Sequence, residues 1–270
     1  MNIYYLSISI VVYKSDLDLL ESLICSIKKA LLILTSAINV IANIDIVNNC
    51  QNDPSLNMLI NLVNKYPDLN LQLIQSRVNR GYGAGNNISI FKNQKSDFHL
   101  VLNPDIILHQ SSLLNGINFL LSNTHIGLLT PCVLDMDTNK LQFLCKRNPD
   151  LLDMVTRSIG LSSFFGERFR SYEMRECDYS NIIEPVPYPT GCFMLFKTPV
   201  LLRAGGFDEG YFLHFEDADI GRSVGRISRT AYVPEVIVWH KWARETHKSW
   251  YIRLVTIKSG IRYLIKWRNK

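Results

Sequence analysis

From residue 6 to residue 123 the chain repeats one pattern four times: a short apolar run, a polar break, then apolar residues at helical spacing. "LSISIVVY" leads into "SDLDLLESLICSIKKALL", where Ser15 or Asp16 can cap a helix whose Leu20, Leu23, Ile24 and Ile27 share one face. "NVIANIDIVNN" leads into "PSLNMLINLVNKY", with Pro54 suited to a first helical turn. "LNLQLIQS" leads into a short helix near "GNNISIFKN", and "FHLVLNPD" into "SSLLNGINFLLSN". Strands that alternate with helices predict an α/β fold: a mostly parallel central sheet covered by helices on both faces. In such sheets ligands gather at the carboxyl ends of the strands.

The second half is less regular. "IGLLTPCVL" reads as a strand, and residues 142–187 show no clear period. A strand "GCFMLFK", a helix from about Thr198, an acidic stretch and a last strand "AYVPEVIVWH" follow. The 270 residues, 47% of them hydrophobic, are enough to bury a full core. The six cysteines form no CxxC pair, and "YYLSISIVVY" lacks the small-residue cleavage site of a signal peptide, so a reduced, cytoplasmic protein is expected. The longest apolar stretch, "ALLILTSAINVIANIDIV", is interrupted by Thr35, Ser36, Asn39 and Asn43 and falls short of a membrane span. Net charge is +5, but residues 241–270 hold nine Lys or Arg and one acid, leaving 20 basic and 23 acidic residues in the rest. That is a local docking charge and not the general positive field of a nucleic-acid binder.

Three motifs carry chemistry. In "LVLNPDIIL" a buried strand delivers Asn103, Pro104 and Asp105 to its tip, and Pro104 cannot continue the ladder. Asp105 there either holds a divalent cation or ends the strand in an Asx-type turn. "NRGYGAGNN", residues 79–87, has three alternate glycines before a helix N-terminus, permitting positive φ and close backbone approach to an anionic ligand. It is neither a dinucleotide fingerprint, since the first β-α turn "YKSD" has no glycine, nor a P-loop, since no Lys-Ser or Lys-Thr follows. "YFLHFEDADIGR", residues 211–222, crowds Glu216, Asp217 and Asp219 into the start of a helix. The helix dipole accounts for one acid, and an Asp219–Arg222 pair three residues apart for another. A remaining acid is free to act as a base, beside Tyr211, Phe212 and Phe215, which can stack on a sugar.

With "LNPD", "NRGYGAGNN", "YPTGCFMLFKTPVLLRAGGFDEGYFLHFEDADIGR" and the final "VWH" in this order, the chain resembles the family 2 inverting glycosyltransferases, and among them the rhamnosyltransferase-like branch, over roughly residues 6–240. The resemblance implies a GT-A fold over residues 1–244, with a nucleotide-sugar half to about residue 130 and an acceptor half beyond it. It further implies a nucleotide-sugar donor and a divalent cation, Mg²⁺ or Mn²⁺. Carried onto this sequence, Asp105 would touch metal and diphosphate, with Asn103 in place of a first carboxylate, and His240 would be a second metal or diphosphate contact. Asp217 would be the general base and Glu216 would position the acceptor. Tyr13, Asn48, Arg80 and Gly81 would complete the donor side. The chain departs from the family in having Asn48 where Asp is usual, Lys14 where Asn is common, and Ala243 and Glu245 where Gly and Ser follow the final His. A lone histidine such as His240 also has an ordinary structural reading, as a hydrogen-bonded strand end.

The tail, residues 245–270, reads as an amphipathic basic helix, with Trp250, Leu254, Ile257, Ile261, Leu264 and Ile265 near one stripe. It either lies on an anionic membrane surface or packs on the domain with its basic face in solvent. The resemblance implies transfer of L-rhamnose from dTDP-L-rhamnose to a polyprenyl-diphosphate-linked saccharide, during assembly of a bacterial O-antigen or capsule. The enzyme would then sit peripherally on the inner face of the cell membrane. A UDP-hexose transferase and a non-catalytic sugar-binding relative remain open, whereas a pyrophosphorylase would need a glycine-rich, Arg-containing loop where "YKSD" stands.

Overall fold

The computed structural model describes residues 2–153, 166–241 and 250–268. Its elements in chain order are β1 (Tyr4–Val12), α1 (Leu17–Ala37), β2 (Val40–Asn48), α2 (Leu56–Asn64), β3 (Leu71–Gln75), α3 (Tyr82–Lys92), β4 (Phe98–Leu102) and β5 (Ile106–Leu108). They continue as α4 (Ser112–Ser122), β6 (Ile126–Asp135), α5 (Gly166–Tyr172), β7 (Phe193–Lys197), α6 (Thr198–Arg203), α7 (Glu216–Gly225), β8 (Arg229–His240) and α8 (Trp250–Trp267).

The first helix starts where its cap predicts: Asp16 Oδ1 accepts from the N–H groups of Asp18 (2.9 Å) and Leu19 (3.2 Å). Its buried side carries Leu20, Leu23, Ile24 and Ile27, and continues through Ala30, Leu31 and Leu34. These residues close one face of the sheet together with Leu59 and Leu62 of α2 and Leu113, Ile117 and Leu120 of α4. The other face is covered by α3, α6 and α7 through Ile90, Val200, Leu201, Ile220 and Val224 packed on Val101, Leu128, Met194 and Phe196. A buried polar string crosses this second layer. His99 on β4 bonds Ser7 Oγ (2.6 Å) and Ser9 Oγ (3.1 Å) on β1, and Ser9 donates to Asn86 of α3 (2.6 Å). Burial pushes the His99 pKa down to about 3, so the ring is neutral and acts as a structural tie.

Among the described residues eight strands form one sheet in the order β3-β2-β1-β4-β7-β6-β8-β5. The β3-β2-β1-β4 block is parallel, as is β6 with β8. The expectation of a mostly parallel sheet flanked by helices holds, with two insertions: β7 is antiparallel to both β4 and β6, and β5 is antiparallel to β8. This mixture brings unlike strand ends to one edge. The carboxyl ends of β1, β2, β3, β4, β6 and β8 gather there with the amino ends of β5 and β7, since Leu102 pairs with Phe193 and Ile106 with His240. Asn48, Asp105, Gly191 and His240, far apart in sequence, therefore rim one edge of the sheet.

The tail helix α8 packs on this body through Ser259, Gly260, Tyr263 and Trp267, which are buried. Among the described residues no helix is long and apolar enough to cross a membrane.

Candidate active site

The centre of the rim is the turn before β7. Gly191 N–H donates to Asp217 Oδ2 (3.2 Å), and Cys192 C=O accepts from the N–H of Asn103 (2.9 Å). One short turn thus ties the tip of β4 to the first turn of α7. Burial pushes the Cys192 thiol up to about 12, and the carboxylates of both Asp105 and Asp217 push it the same way. Both acids therefore stand near one thiol, Asp217 bonded to the turn itself and Asp105 two residues beyond the Asn103 that the turn holds. Tyr82, the first residue of α3, closes the space: its hydroxyl donates to Gly191 C=O (3.0 Å) and its N–H to Phe212 C=O (3.1 Å).

On the β4 side, Asp105 Oδ1 is buried without a hydrogen-bond partner. It faces His240 Nε2 at 3.6 Å. Gln142 fixes the ring: its amide NH₂ donates to Asp135 Oδ2 and to His240 C=O (3.3 Å each), which leaves Gln142 Oε1 against His240 Nδ1 at 3.2 Å. Nδ1 must then carry a proton to bond that oxygen, and in the neutral ring Nε2 presents a lone pair to Asp105. A carboxylate oxygen and an imidazole lone pair that face each other over a gap need a cation or a proton between them. Two protein ligands with the rest supplied by phosphate and water is the arrangement Mg²⁺ commonly takes, and Mn²⁺ accepts the same donors, so the residues fit a divalent cation. Among the described residues no cluster of three His, Cys, Asp or Glu exists that would form a closed protein cage for one.

On the α7 side, the chain enters the helix through two consecutive non-glycine residues in the left-handed region, His214 (φ 66°) and Phe215 (φ 68°). Each costs on the order of 1 kcal/mol, strain of the kind that clusters at sites where a side chain must be aimed. The turn presents Glu216 and Asp217 side by side. Glu216 is buried, its Oε2 has no partner, and burial with the adjacent Asp217 charge raises its pKa to about 8. Asp217 accepts from Gly191 and from the N–H of Ala218 (2.9 Å), and stays half-buried at the rim.

Other expectations are corrected. Asp219 does not pair with Arg222. It is buried, and accepts from Tyr211 OH (3.2 Å), Trp267 Nε1 (2.8 Å) and Lys266 Nζ (2.7 Å), while Arg222 lies over the Trp267 ring at 4.5 Å. No side chain caps α7 from its N-cap position, Phe215. Tyr211 is fully buried and Phe215 packs on Tyr263 (5.7 Å between centroids), so of the three aromatics only Phe212 is exposed enough to meet a sugar. In the glycine cluster only Gly81 has positive φ, +100°, and an added Cβ would lie 2.1 Å from Phe212 C=O. Gly83 and Gly85 lie inside α3, pressed on Phe207 and on Val11 and Asn49, so they serve helix-to-sheet packing and not ligand approach.

On the donor side, Tyr13 is exposed at the end of β1 beneath Lys14 Nζ (5.7 Å to the ring). Asn48 is buried with its amide fully engaged: Nδ2 donates to Asp53 (3.1 Å) and Gln75 (3.2 Å), and Oδ1 accepts from Cys50 N–H (3.0 Å). Asp53 and Gln75, which the sequence reading missed, are the network members nearer solvent. Arg80 is exposed and paired with Glu209 (2.5 Å). Ala243 and Glu245, and the expected boundary at residue 244, lie outside the described residues. Sequence reasoning also missed Tyr82, Gln142 and Gly191; Tyr82 stands inside the glycine cluster, whereas nothing near Gln142 marks it.

A family model described as "Glycosyltransferase like family 2" matches residues 27–255. The rhamnosyltransferase WbbL of Escherichia coli (strain K12) is 28% identical over 198 residues, covering 70% of this chain and 71% of that protein. An N-acetylglucosaminyl-diphospho-decaprenol L-rhamnosyltransferase of Mycobacterium tuberculosis is 26% identical over 220 residues, 73% of this chain and 70% of that one. Among solved structures, a mannosyltransferase from Pyrobaculum calidifontis in complex with GDP-Man and Mn²⁺ superposes with a TM-score of 0.66 at 16% identity. That match covers 98% of this chain and 64% of the other, and establishes the shared GT-A fold.

Proposed function

The chain belongs to glycosyltransferase family 2 and is a glycosyltransferase; from that premise we propose that it transfers L-rhamnose from dTDP-L-rhamnose, with inversion, to a hydroxyl of a lipid-linked saccharide in bacterial surface-polysaccharide synthesis. The observation that carries this reading is the turn at Gly191–Cys192, whose N–H bonds Asp217 and whose C=O bonds Asn103 two residues before Asp105, so that one turn brings both acids to the same rim. A single displacement needs both acids at one site, one for the leaving group and one for the attacking oxygen. Both named relatives are rhamnosyltransferases, and the mycobacterial one is named for a diphospho-decaprenol acceptor.

Asp217 takes the proton of the acceptor hydroxyl as that oxygen bonds to the anomeric carbon. The bond from this carbon to the diphosphate breaks on the opposite face, and its electron pair leaves with the phosphate. Base catalysis of this kind contributes about 10²–10⁴-fold. Glu216, neutral up to about pH 8, keeps a donor O–H and leaves the negative charge to its neighbour. It orients the acceptor without competing for the proton. Asp105 and His240 would hold a divalent cation, which when bound neutralises charge on the departing diphosphate. Tyr13, Asp53 and Gln75 line the nucleoside end.

The decisive experiment offers dTDP-L-rhamnose and a panel of UDP- and GDP-hexoses with a polyprenyl-diphosphate-linked N-acetylglucosamine acceptor, and follows the product by mass. Transfer of deoxyhexose alone supports the reading. Transfer from a UDP- or GDP-hexose instead replaces the donor, and no transfer or hydrolysis of any donor removes the enzyme.

A further inference from the structure

We infer that the outward face of α8 is a docking surface for an anionic phospholipid bilayer, with the helix lying in the plane of the headgroups. The inference goes beyond the proposed reaction and depends on neither its donor nor its acceptor.

The helix has two faces of opposite fate. Ser259, Gly260, Tyr263 and Trp267 turn inward and are buried. Arg262 and Lys266, cations that in isolation suggest a solvated basic face, are drawn into ion pairs with Asp208 and Asp219. What remains outside is the apolar stripe: Trp250, Leu254, Ile257, Ile261 and Ile265, spaced by four, three, four and four residues, are all exposed, Trp250 at 73% and Ile265 at 71%. Protein folding alone gives no reason to turn this apolar face to water while Arg262 and Lys266 are held by carboxylates of the domain. The stripe runs the length of an 18-residue helix, about 27 Å, and is rimmed by the exposed cations Arg253, Lys258 and Arg268.

Charge selects the occupant. A second copy of the chain laid along the stripe would bring Lys258 and Arg253 against their own kind, in a segment where residues 241–270 already carry nine basic residues and one acid. Anionic headgroups complement that rim while acyl chains receive the stripe. The inward face then sets the consequence. Ser259 Oγ donates to Leu213 C=O (2.9 Å), and Trp267 and Lys266 hold Asp219, so the docked helix carries α7, the element that bears Glu216 and Asp217, on its inner side.

Flotation of the full chain with vesicles of phosphatidylcholine alone, or mixed with phosphatidylglycerol, tests this. Wild type is expected to partition onto the phosphatidylglycerol vesicles roughly tenfold more strongly, and to be released in about 1 M salt. The double variant Ile257→Glu, Ile261→Glu is expected to lose roughly tenfold or more of that binding while melting like wild type. Lys258→Glu, at an exposed position, is expected to lose about fivefold and serves if the double variant melts early. Failure of wild type to bind either vesicle, or equal binding by wild type and variants, overturns the inference. So does a wild-type dimer that the double variant converts to a monomer, since the stripe is then covered by a second copy.

Discussion

Lys266 Nζ lies 2.7 Å from Asp219 Oδ2 and 2.9 Å from Asp208 Oδ2, so a residue of the C-terminal helix neutralises a buried acid two positions after the proposed base. The tail is therefore part of the machinery that holds α7 in place. Replacing Lys266 by Met leaves the Asp219 carboxylate buried with only the neutral donors of Tyr211 and Trp267. Removing one partner of a buried pair costs about 3–5 kcal/mol, and the partial exposure of Lys266 places this case at the low end. Urea unfolding of Lys266→Met checks it, and a midpoint equal to wild type would remove the clamp from the account.

Asp217→Asn keeps the size of the side chain and an acceptor oxygen for Gly191 while removing the base. The expected outcome is a fall in kcat of about 10²–10⁴-fold with donor affinity and melting temperature unchanged. Steady-state transfer and donor titration measure the two separately.

Glu216 makes stability depend on pH. Its folded pKa of about 8 stands above the ordinary 4.5, owing first to burial and then to the Asp217 charge. Between these values the folded state holds a proton that the unfolded chain has released, so stability is full below about pH 4.5, falls as pH rises through the window, and levels off above about pH 8. Glu216→Gln should flatten that slope, matching wild type near pH 5 and melting higher near pH 8.5. Melting curves across this range decide it; parallel curves for the two proteins would show that Glu216 is not the titrating group.

Asp105→Ala or His240→Ala should abolish stabilisation by Mn²⁺ plus a nucleoside diphosphate, which for wild type amounts to about 2.7 kcal/mol at a hundredfold excess over Kd. The same variants without metal should fold normally, Asp105→Ala even slightly more stably, because it deletes an orphaned buried oxygen. Thermal shift with and without a chelator reads both effects.

Gly81→Ala combines a φ of +100° with a Cβ 2.1 Å from Phe212 C=O. The backbone must move, and the expected loss is at least on the order of 1–3 kcal/mol, with a weakened hold on the 211–215 loop. Differential scanning calorimetry checks the first and acceptor KM the second.

The strand-helix rhythm of residues 6–123 fixed the α/β class and the parallel block, because local periodicity and one buried face per helix suffice for that. The pair Glu216–Asp217 and the tip Asp105 were also legible, as acids crowded where a helix begins and a strand ends. Gln142 was not, since its role rests on aligning His240 across 98 residues of sequence. The fate of Asp219 was misjudged for a related reason: helical spacing offers Arg222 as partner, but the competing donors Lys266 and Trp267 arrive from the other end of the chain.

By itself, then, the sequence determined which residue types could hold charge, turn a strand or face a core, since these follow from neighbours a few positions away. Only the tertiary structure decided that β7 runs antiparallel beside β4, that Gly191 reaches Asp217 and that α8 pairs Arg262 and Lys266 with Asp208 and Asp219 while leaving Ile257, Ile261 and Ile265 in solvent. Those outcomes depend on which long-range partner satisfies a buried charge or hydrogen bond at least cost, and no local pattern encodes that choice.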